Sequence, residues 1–331
     1  MTHRKIDYSA FIFLFLAIFL SGCVQKPKEE KLTSINIAFQ SWVGYGPFYL
    51  AQEKGFCREE GIDLNIIDEQ LDSSRRDAFK QGMLDFEGGT IDLLVSKVAQ
   101  DTPILAVMEL DRSFGSDAIV ADKDIDKLED LVGKRVALAR DDVGETFFSF
   151  LLFKQGLPID KVRMVSVDSE GVAKAFLSDE ADACATWEPQ VSEALKKPGA
   201  HILVSSREYQ GIIIDTLNVR RDLFINHPQL VRGLMRAWFK ALRYYKENPA
   251  RASEIIAKYY KITPAEYRKQ VEGLKWSDYE KQNINLRYKE WVDAFDVIAQ
   301  IKFTNKRILQ KPDSLKYLDR SLLEGLYEDR T

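Results

Sequence analysis

Ser34-Ile35-Asn36-Ile37-Ala38-Phe39-Gln40, then Pro47-Phe48-Tyr49-Leu50-Ala51-Gln52-Glu53-Lys54-Gly55, then Asp63-Leu64-Asn65-Ile66-Ile67: the fold turns on these three segments. Ile35, Ile37 and Phe39 alternate with smaller or polar residues, the period-two pattern of a strand. Pro47 to Lys54 reads as a short helix stopped by Gly55, and 63–67 reads as the next strand. Ser74 is placed to cap a helix over 75–81 that ends at Gly82. Further strands are expected over 91–95, 104–110, 118–121, 135–139, 162–167, 202–204 and 212–218, with helical stretches between most of them. Such alternation argues an α/β fold with largely parallel sheets.

From Pro228 onward the pattern changes. Leu230, Leu234, Trp238 and Leu242 recur at four-residue spacing, Pro228 suits a first helical turn, and Asn248-Pro249 ends the helix. More amphipathic helices are expected over 250–260, 264–274 and 288–301, with almost no strand signal. No repeat and no low-complexity tract interrupts the chain. About 300 residues of α/β alternation followed by helices suit two lobes with a cleft between them. Ligands of open α/β sheets sit beyond the carboxyl ends of strands, so the loops there are the places to search.

The N-terminus reads as a leader. Arg4 and Lys5 precede an unbroken apolar run from Ala10 to Leu20. That run is too short to span a bilayer as a helix but right for a signal peptide. It ends Leu20-Ser21-Gly22-Cys23, which is similar to the bacterial lipoprotein signal. Residues 1–22 are therefore expected to be removed and Cys23 lipidated, with 23–34 as a polar tether. Removing 1–22 takes away Arg4, Lys5 and Asp7 and leaves 45 basic against 50 acidic residues. No basic run suggests nucleic acid. Cys57 and Cys184 lie far apart, so no disulfide framework exists, and both read as buried small apolar residues.

Several stretches carry a family resemblance. Gly44-Tyr45-Gly46-Pro47-Phe48-Tyr49-Leu50-Ala51-Gln52-Glu53-Lys54-Gly55-Phe56, followed by Glu60-Gly61-Ile62-Asp63-Leu64, is similar to the opening of the periplasmic binding proteins for nitrate, taurine, alkyl sulfonates and thiamine-precursor pyrimidines. Leu131-Val132-Gly133-Lys134-Arg135-Val136-Ala137 and Ala181-Asp182-Ala183-Cys184-Ala185-Thr186-Trp187-Glu188-Pro189 resemble later segments of the same family, as do Asn226-His227-Pro228 and Asn248-Pro249. The resemblance implies a two-lobed type II periplasmic binding protein with a helical C-terminal extension. Lobe 1 is expected to hold 35–119 and 215–331, and lobe 2 to hold 120–214, with crossovers near 119–121 and 212–215. It implies a small-molecule ligand, a partner permease with a cytoplasmic ATPase, an extracytoplasmic location and no cofactor.

Candidate ligand contacts follow from strand ends. Trp42 and Tyr45 flank Gly44 after the first strand and offer flat rings beside a close backbone. Glu87 and Thr90 lie in a Gly-Gly segment before the strand expected over 91–95. Asp111 and Ser113 follow the 104–110 strand. Asp142 and Glu145 open a helix after 135–139, where capping is the competing role. Trp187 and Glu188 follow a small-residue strand, and Asp215 stands at the second expected crossover.

The mature chain holds only His201 and His227, with no zinc spacing, no nucleophile elbow, no phosphate loop and no dinucleotide fingerprint. An enzyme is disfavoured; a sensor or adhesin ectodomain on the same fold stays open. The candidate loops carry Glu87, Asp111, Asp117, Asp141, Asp142, Glu145, Glu188 and Asp215 against Arg112 and Arg140. A buried anion needs cations or bare donors, so this balance favours a neutral or cationic nitrogenous ligand over nitrate or a sulfonate.

Overall fold

The structure, a computed structural model, describes residues 32–69, 71–277 and 284–328. The expected leader, Cys23 and the tether as far as Lys31 lie outside the described residues. Among the described residues no helix is long and apolar enough to cross a membrane.

Among the described residues, eleven strands build two sheets. They are β1 (Thr33–Phe39), β2 (Ile62–Asp68), β3 (Phe86–Thr90), β4 (Ile104–Ser113), β5 (Asp117–Ala121), β6 (Arg135–Ala139), β7 (Arg163–Val167), β8 (Ala183–Trp187), β9 (His201–Ser205), β10 (Ile214–Arg220) and β11 (Leu274–Trp276). The first sheet runs β11-β4-β10-β3-β1-β2 and the second β7-β6-β8-β5-β9. β1 pairs in parallel with β2 and β3, while β10 runs antiparallel between β3 and β4. β6 pairs in parallel with β7 and β8, and β5 runs antiparallel to β8 and β9. β10 and β4 are buried almost throughout, which matches strands covered on both faces.

The helices that position the site are α1 (Gly46–Glu53), α2 (Ile91–Val98), α3 (Val143–Lys154), α4 (Pro228–Glu247) and α5 (Ile284–Thr304). The four-residue stripe read from α4 is its buried face: Leu234 and Trp238 are buried, and Trp238 packs on Phe48 of α1 with ring centroids 4.6 Å apart. Cys57 and Cys184 are both free and buried.

Four expectations change. Residues 91–95 form the start of α2 rather than a strand. Ile91, Leu94, Val95 and Val98 recur at helical spacing, Thr90 supplies an extended N-cap backbone, and Asp92 sits in the first turn. The strand is instead Phe86–Thr90, so Glu87 and Thr90 belong to β3 and not to a loop. The helix expected over 75–81 spans Asp72–Lys80 with Leu71 at its N-cap, which leaves Ser74 inside it. The tail expected to lack strands contributes β11, three residues antiparallel to Ser113, Arg112 and Asp111.

The chain leaves the first sheet at Phe114–Ser116 and returns between Ser206 and Ile213, so Ile119 and Ala121 are already paired inside the second sheet. The two passages are stitched together. Ser113 and Ser206 share a hydroxyl hydrogen bond of 2.6 Å, and the Gly115 N–H donates to Ser206 Oγ at 2.7 Å. The Phe114 N–H donates to the Gly273 carbonyl at 2.7 Å, which ties the tail to the same point.

Candidate functional site

Contacts of Trp42, after β1, with Trp187 of β8, and of Thr146, after β6, with Asp92, after β3, bring these carboxyl ends together, and acidic side chains gather there. Asp111 ends the apolar run of β4, Asp215 opens β10 directly opposite it, and Asp117 opens β5 in the other sheet. All three are buried, at 0%, 3% and 4% exposure. Among the described residues no Lys or Arg lies within ion-pair distance of any of them. Their neighbours donate hydrogen bonds instead. The indole N–H of Trp42 reaches both oxygens of Asp111 at 3.3 and 3.4 Å, and the Tyr45 hydroxyl donates to Asp215. Asp117 is the donor in its own contact: its backbone N–H gives a hydrogen bond to Ser113 Oγ at 3.3 Å.

Unpaired burial disfavours a charged carboxylate, and neighbouring carboxylates add repulsion. Burial, with Asp215 beside it, pushes Asp111 far above the usual carboxylate range. Burial lifts Asp117 to about 8 and Asp215 to about 7. Burial and the nearby Asp215 and Asp111 likewise raise the Tyr45 phenol. A positive group placed among these side chains restores their ionised form.

Aromatic walls come from both sheets. Trp42 and Trp187 meet edge to face at 5.9 Å. The Tyr45 ring lies against Gly88, where an added Cβ would stand 3.1 Å from the ring. Gly44 is required for a similar reason: a Cβ there would collide with both Trp42 Nε1 and Asp111 Oδ2, the two ends of their hydrogen bond.

The remaining candidate acids have other company. Glu87 is buried beneath β3, where its Oε1 accepts from Arg75 at 2.8 Å and Lys97 at 2.6 Å; both cations also bond Asp72. Asp142 caps α3, accepting from the Gly144 N–H at 3.4 Å and from Ser169 Oγ at 2.7 Å. Glu145 takes the Arg307 guanidinium from the tail and the Asp141 N–H at 2.7 Å. Glu188 accepts from the N–H and hydroxyl of Ser192 at 3.0 and 2.9 Å. Ser113 is engaged with Ser206 at the passage between sheets. The structure thus brings Trp42, Tyr45, Asp111, Trp187 and Asp215 together. Thr90 joins their edge, donating to Asp92 at 2.5 Å.

Three residues of this region were not singled out from the sequence. Asp92 lay inside an expected strand; Thr90 followed by an acid two residues on is a helix-start signal that would have exposed it. Thr146 donates to Asp92 Oδ2 across the sheets at 3.1 Å, and Lys302 Nζ stands 3.7 Å from the same oxygen. Nothing in the sequence links Lys302 to a residue 210 positions earlier. A surface groove lined by Phe79, Gly82, Pro103, Arg220, Arg221 and Ile225 lies at the opposite strand ends, away from these acids.

Among described residues no cluster of His, Cys, Asp and Glu suits a metal ion. Curated relatives include the taurine-binding periplasmic protein of Escherichia coli, 25% identical over 67% of this chain and 69% of that one. The formylaminopyrimidine-binding protein of Halalkalibacterium halodurans is 22% identical over 74% of this chain and 77% of that one. The fold is shared with the aliphatic sulphonate binding protein SsuA of Escherichia coli, at TM-score 0.70 and 15% identity over 86% of this chain and 96% of that one. The desulfurization enzyme DSZB also shares it, at TM-score 0.61 and 16% identity over 90% of this chain and all of that one. The two sheets with their helical tail are thus the periplasmic-binding-protein fold. The sequence model described as "NMT1/THI5 like" matches residues 42–252, and the chain belongs to that family.

Proposed function

We propose that this chain is the extracytoplasmic solute-binding component of an importer and closes on a small nitrogenous organic ligand, neutral or cationic, between its two sheets. One observation carries the ligand class: Asp111, Asp117 and Asp215 are buried together, from both sheets, and among the described residues no Lys or Arg stands within ion-pair distance of them. An amine, amidine or aminopyrimidine donates to these carboxylates and stacks on Trp42, Tyr45 or Trp187. The relative that binds a formylaminopyrimidine supports this reading, and its solute-binding relatives support the transport role. The site lacks the paired nucleophile, base and orienting group that bond-breaking chemistry needs, which favours capture over catalysis. The partner is a membrane permease driven by a cytoplasmic ATPase, and Cys23 carries the lipid anchor.

A thermal-shift panel tests the ligand class, because a ligand that binds the folded state alone raises its stability by RT ln(1 + [L]/Kd). Amines, amidines and aminopyrimidines are expected to raise the melting temperature. Stabilisation by taurine, alkyl sulfonates or nitrate, with none from the nitrogenous set, overturns the proposal in favour of an anion carrier.

A further inference from the structure

Asp92 is the meeting point of three elements. It lies in the first turn of α2, under the first sheet. Its Oδ1 accepts from Thr90 Oγ1 at 2.5 Å, and its Oδ2 accepts from Thr146 Oγ1, in the first turn of α3 under the second sheet. Lys302, from the last turn of α5, brings Nζ to 3.7 Å from Oδ2. Asp92 and Lys302 are 2% and 3% exposed.

Without the carboxylate, this neighbourhood is made for an anion. Two hydroxyls converge on it, one buried ammonium faces it, and the eight-residue α2, which has no side-chain cap, turns its positive dipole end toward it. Asp92 fills that position from within the chain. A solute's own sulfonate or carboxylate would have to displace a tethered, fully bonded carboxylate and would meet its charge at close range.

We propose that Asp92 is a specificity-determining residue: a built-in anion that occupies an oxyanion subsite, bars acidic solutes from it and uses up the positive charge of Lys302. The inference rests on the reading of Asp111, Asp117 and Asp215 as the cation-binding part of the same site. Asp92 adds its field to theirs, since it stands close enough to raise both Asp117 and Asp215. Removing the Asp92 side chain frees Lys302, Thr90 and Thr146 to hold an external oxyanion.

The test is calorimetric titration of wild type, Asp92→Ala and Asp92→Ala/Lys302→Ala with inorganic sulfate, methanesulfonate and an aminopyrimidine. Asp92→Ala is expected to gain sulfate and methanesulfonate affinity by about tenfold or more, the return on one charge-assisted hydrogen bond. The double variant is expected to lose that gain. If Asp92→Ala is unfolded in plain buffer, methanesulfonate is expected to restore its circular dichroism and chloride at equal ionic strength is not. A folded Asp92→Ala that binds oxyanions no better than wild type overturns the inference, as does a gain that survives loss of Lys302 or a restoration that chloride matches. Wild type that itself binds methanesulfonate and no nitrogenous cation sinks the proposed function instead, whichever way the variant behaves.

Discussion

At the scale of single residues, the site is a set of acids kept short of protons' natural competitors. Asp117 and Asp215, lifted by burial to about 8 and 7, bind protons in the folded chain well above the ordinary aspartate value near 4. Their contribution to stability is therefore complete below that ordinary value and is lost as pH rises through 7 to 8. The melting temperature of the ligand-free protein is expected to fall between about pH 5 and about pH 9, and the fall is expected to shrink in Asp215→Asn. Affinity for a cationic ligand should move the other way, rising over the same window, because binding expels the protons. Calorimetry in buffers of different ionisation enthalpy reads that release directly; binding without proton release at neutral pH contradicts the assignment. Asp111 was legible in the sequence as a carboxylate after a strand and Asp215 as one at the expected crossover, while Asp117 figured only in the acidic balance of the loops. What was not legible was the partners: capping was foreseen as the competing role of Asp142 and Glu145, but nothing local pointed to Arg75 for Glu87 or Arg307 for Glu145.

At the scale of elements, α5 does more than cover the first sheet. Its Trp291 indole donates to Glu109 of β4 at 2.9 Å, and Arg287 adds an ion pair at 3.3 Å to the same buried carboxylate. Further along, α5 packs on α2 and also on α3, and Arg307 just beyond it bonds Glu145. The helix is thus anchored on one sheet and tied to the other. Trp291→Ala removes a buried ring and one of several donors to Glu109, and is expected to cost about 3–5 kcal/mol in urea unfolding. Arg307→Ala removes only the tie; it should leave the melting temperature within a few degrees and speed ligand dissociation, as read by stopped-flow displacement. An unchanged off-rate would place the tie outside the opening motion. Element boundaries show why some of this was readable and some not. The apolar residues of β6 and the small residues of β8 announce themselves by periodicity and flanking turns. β3 does not, because Glu87-Gly88-Gly89-Thr90 has poor intrinsic strand preference and is held extended by β10 on one side and β1 on the other. β11 is three residues long and exists because it can pair with the edge of β4.

At the scale of the whole molecule, the acids come from two sheets and are enclosed, so a ligand enters only if the sheets part. The motion we propose for this is rotation about the stitched passages at Phe114–Ser116 and Ser206–Ile213. Small-angle scattering is expected to show compaction on adding a saturating ligand; superimposable profiles count against a closing cleft. The α/β architecture and the helical tail were legible because the alternation of strand and helix signals spans the chain, and each alternation needs only local sequence. The anchoring reading concerns Cys23, outside the described residues. Cys23→Ala should move the protein from the membrane fraction to the soluble one, and equal membrane retention refutes lipidation.

β10 is hydrogen-bonded between β3 and β4, yet it emerges only after every strand of the second sheet. The second sheet is contiguous from Asp117 to Ser205 and has all its pairing partners early. The first sheet waits with two strand edges open, each a template for pairing with another chain. Refolding is therefore expected to proceed in two stages, second sheet first, with the slow, concentration-sensitive stage being insertion of β10 into the gap. A chain truncated before Ile214 keeps a complete half and an unfinished one, and aggregates through the latter.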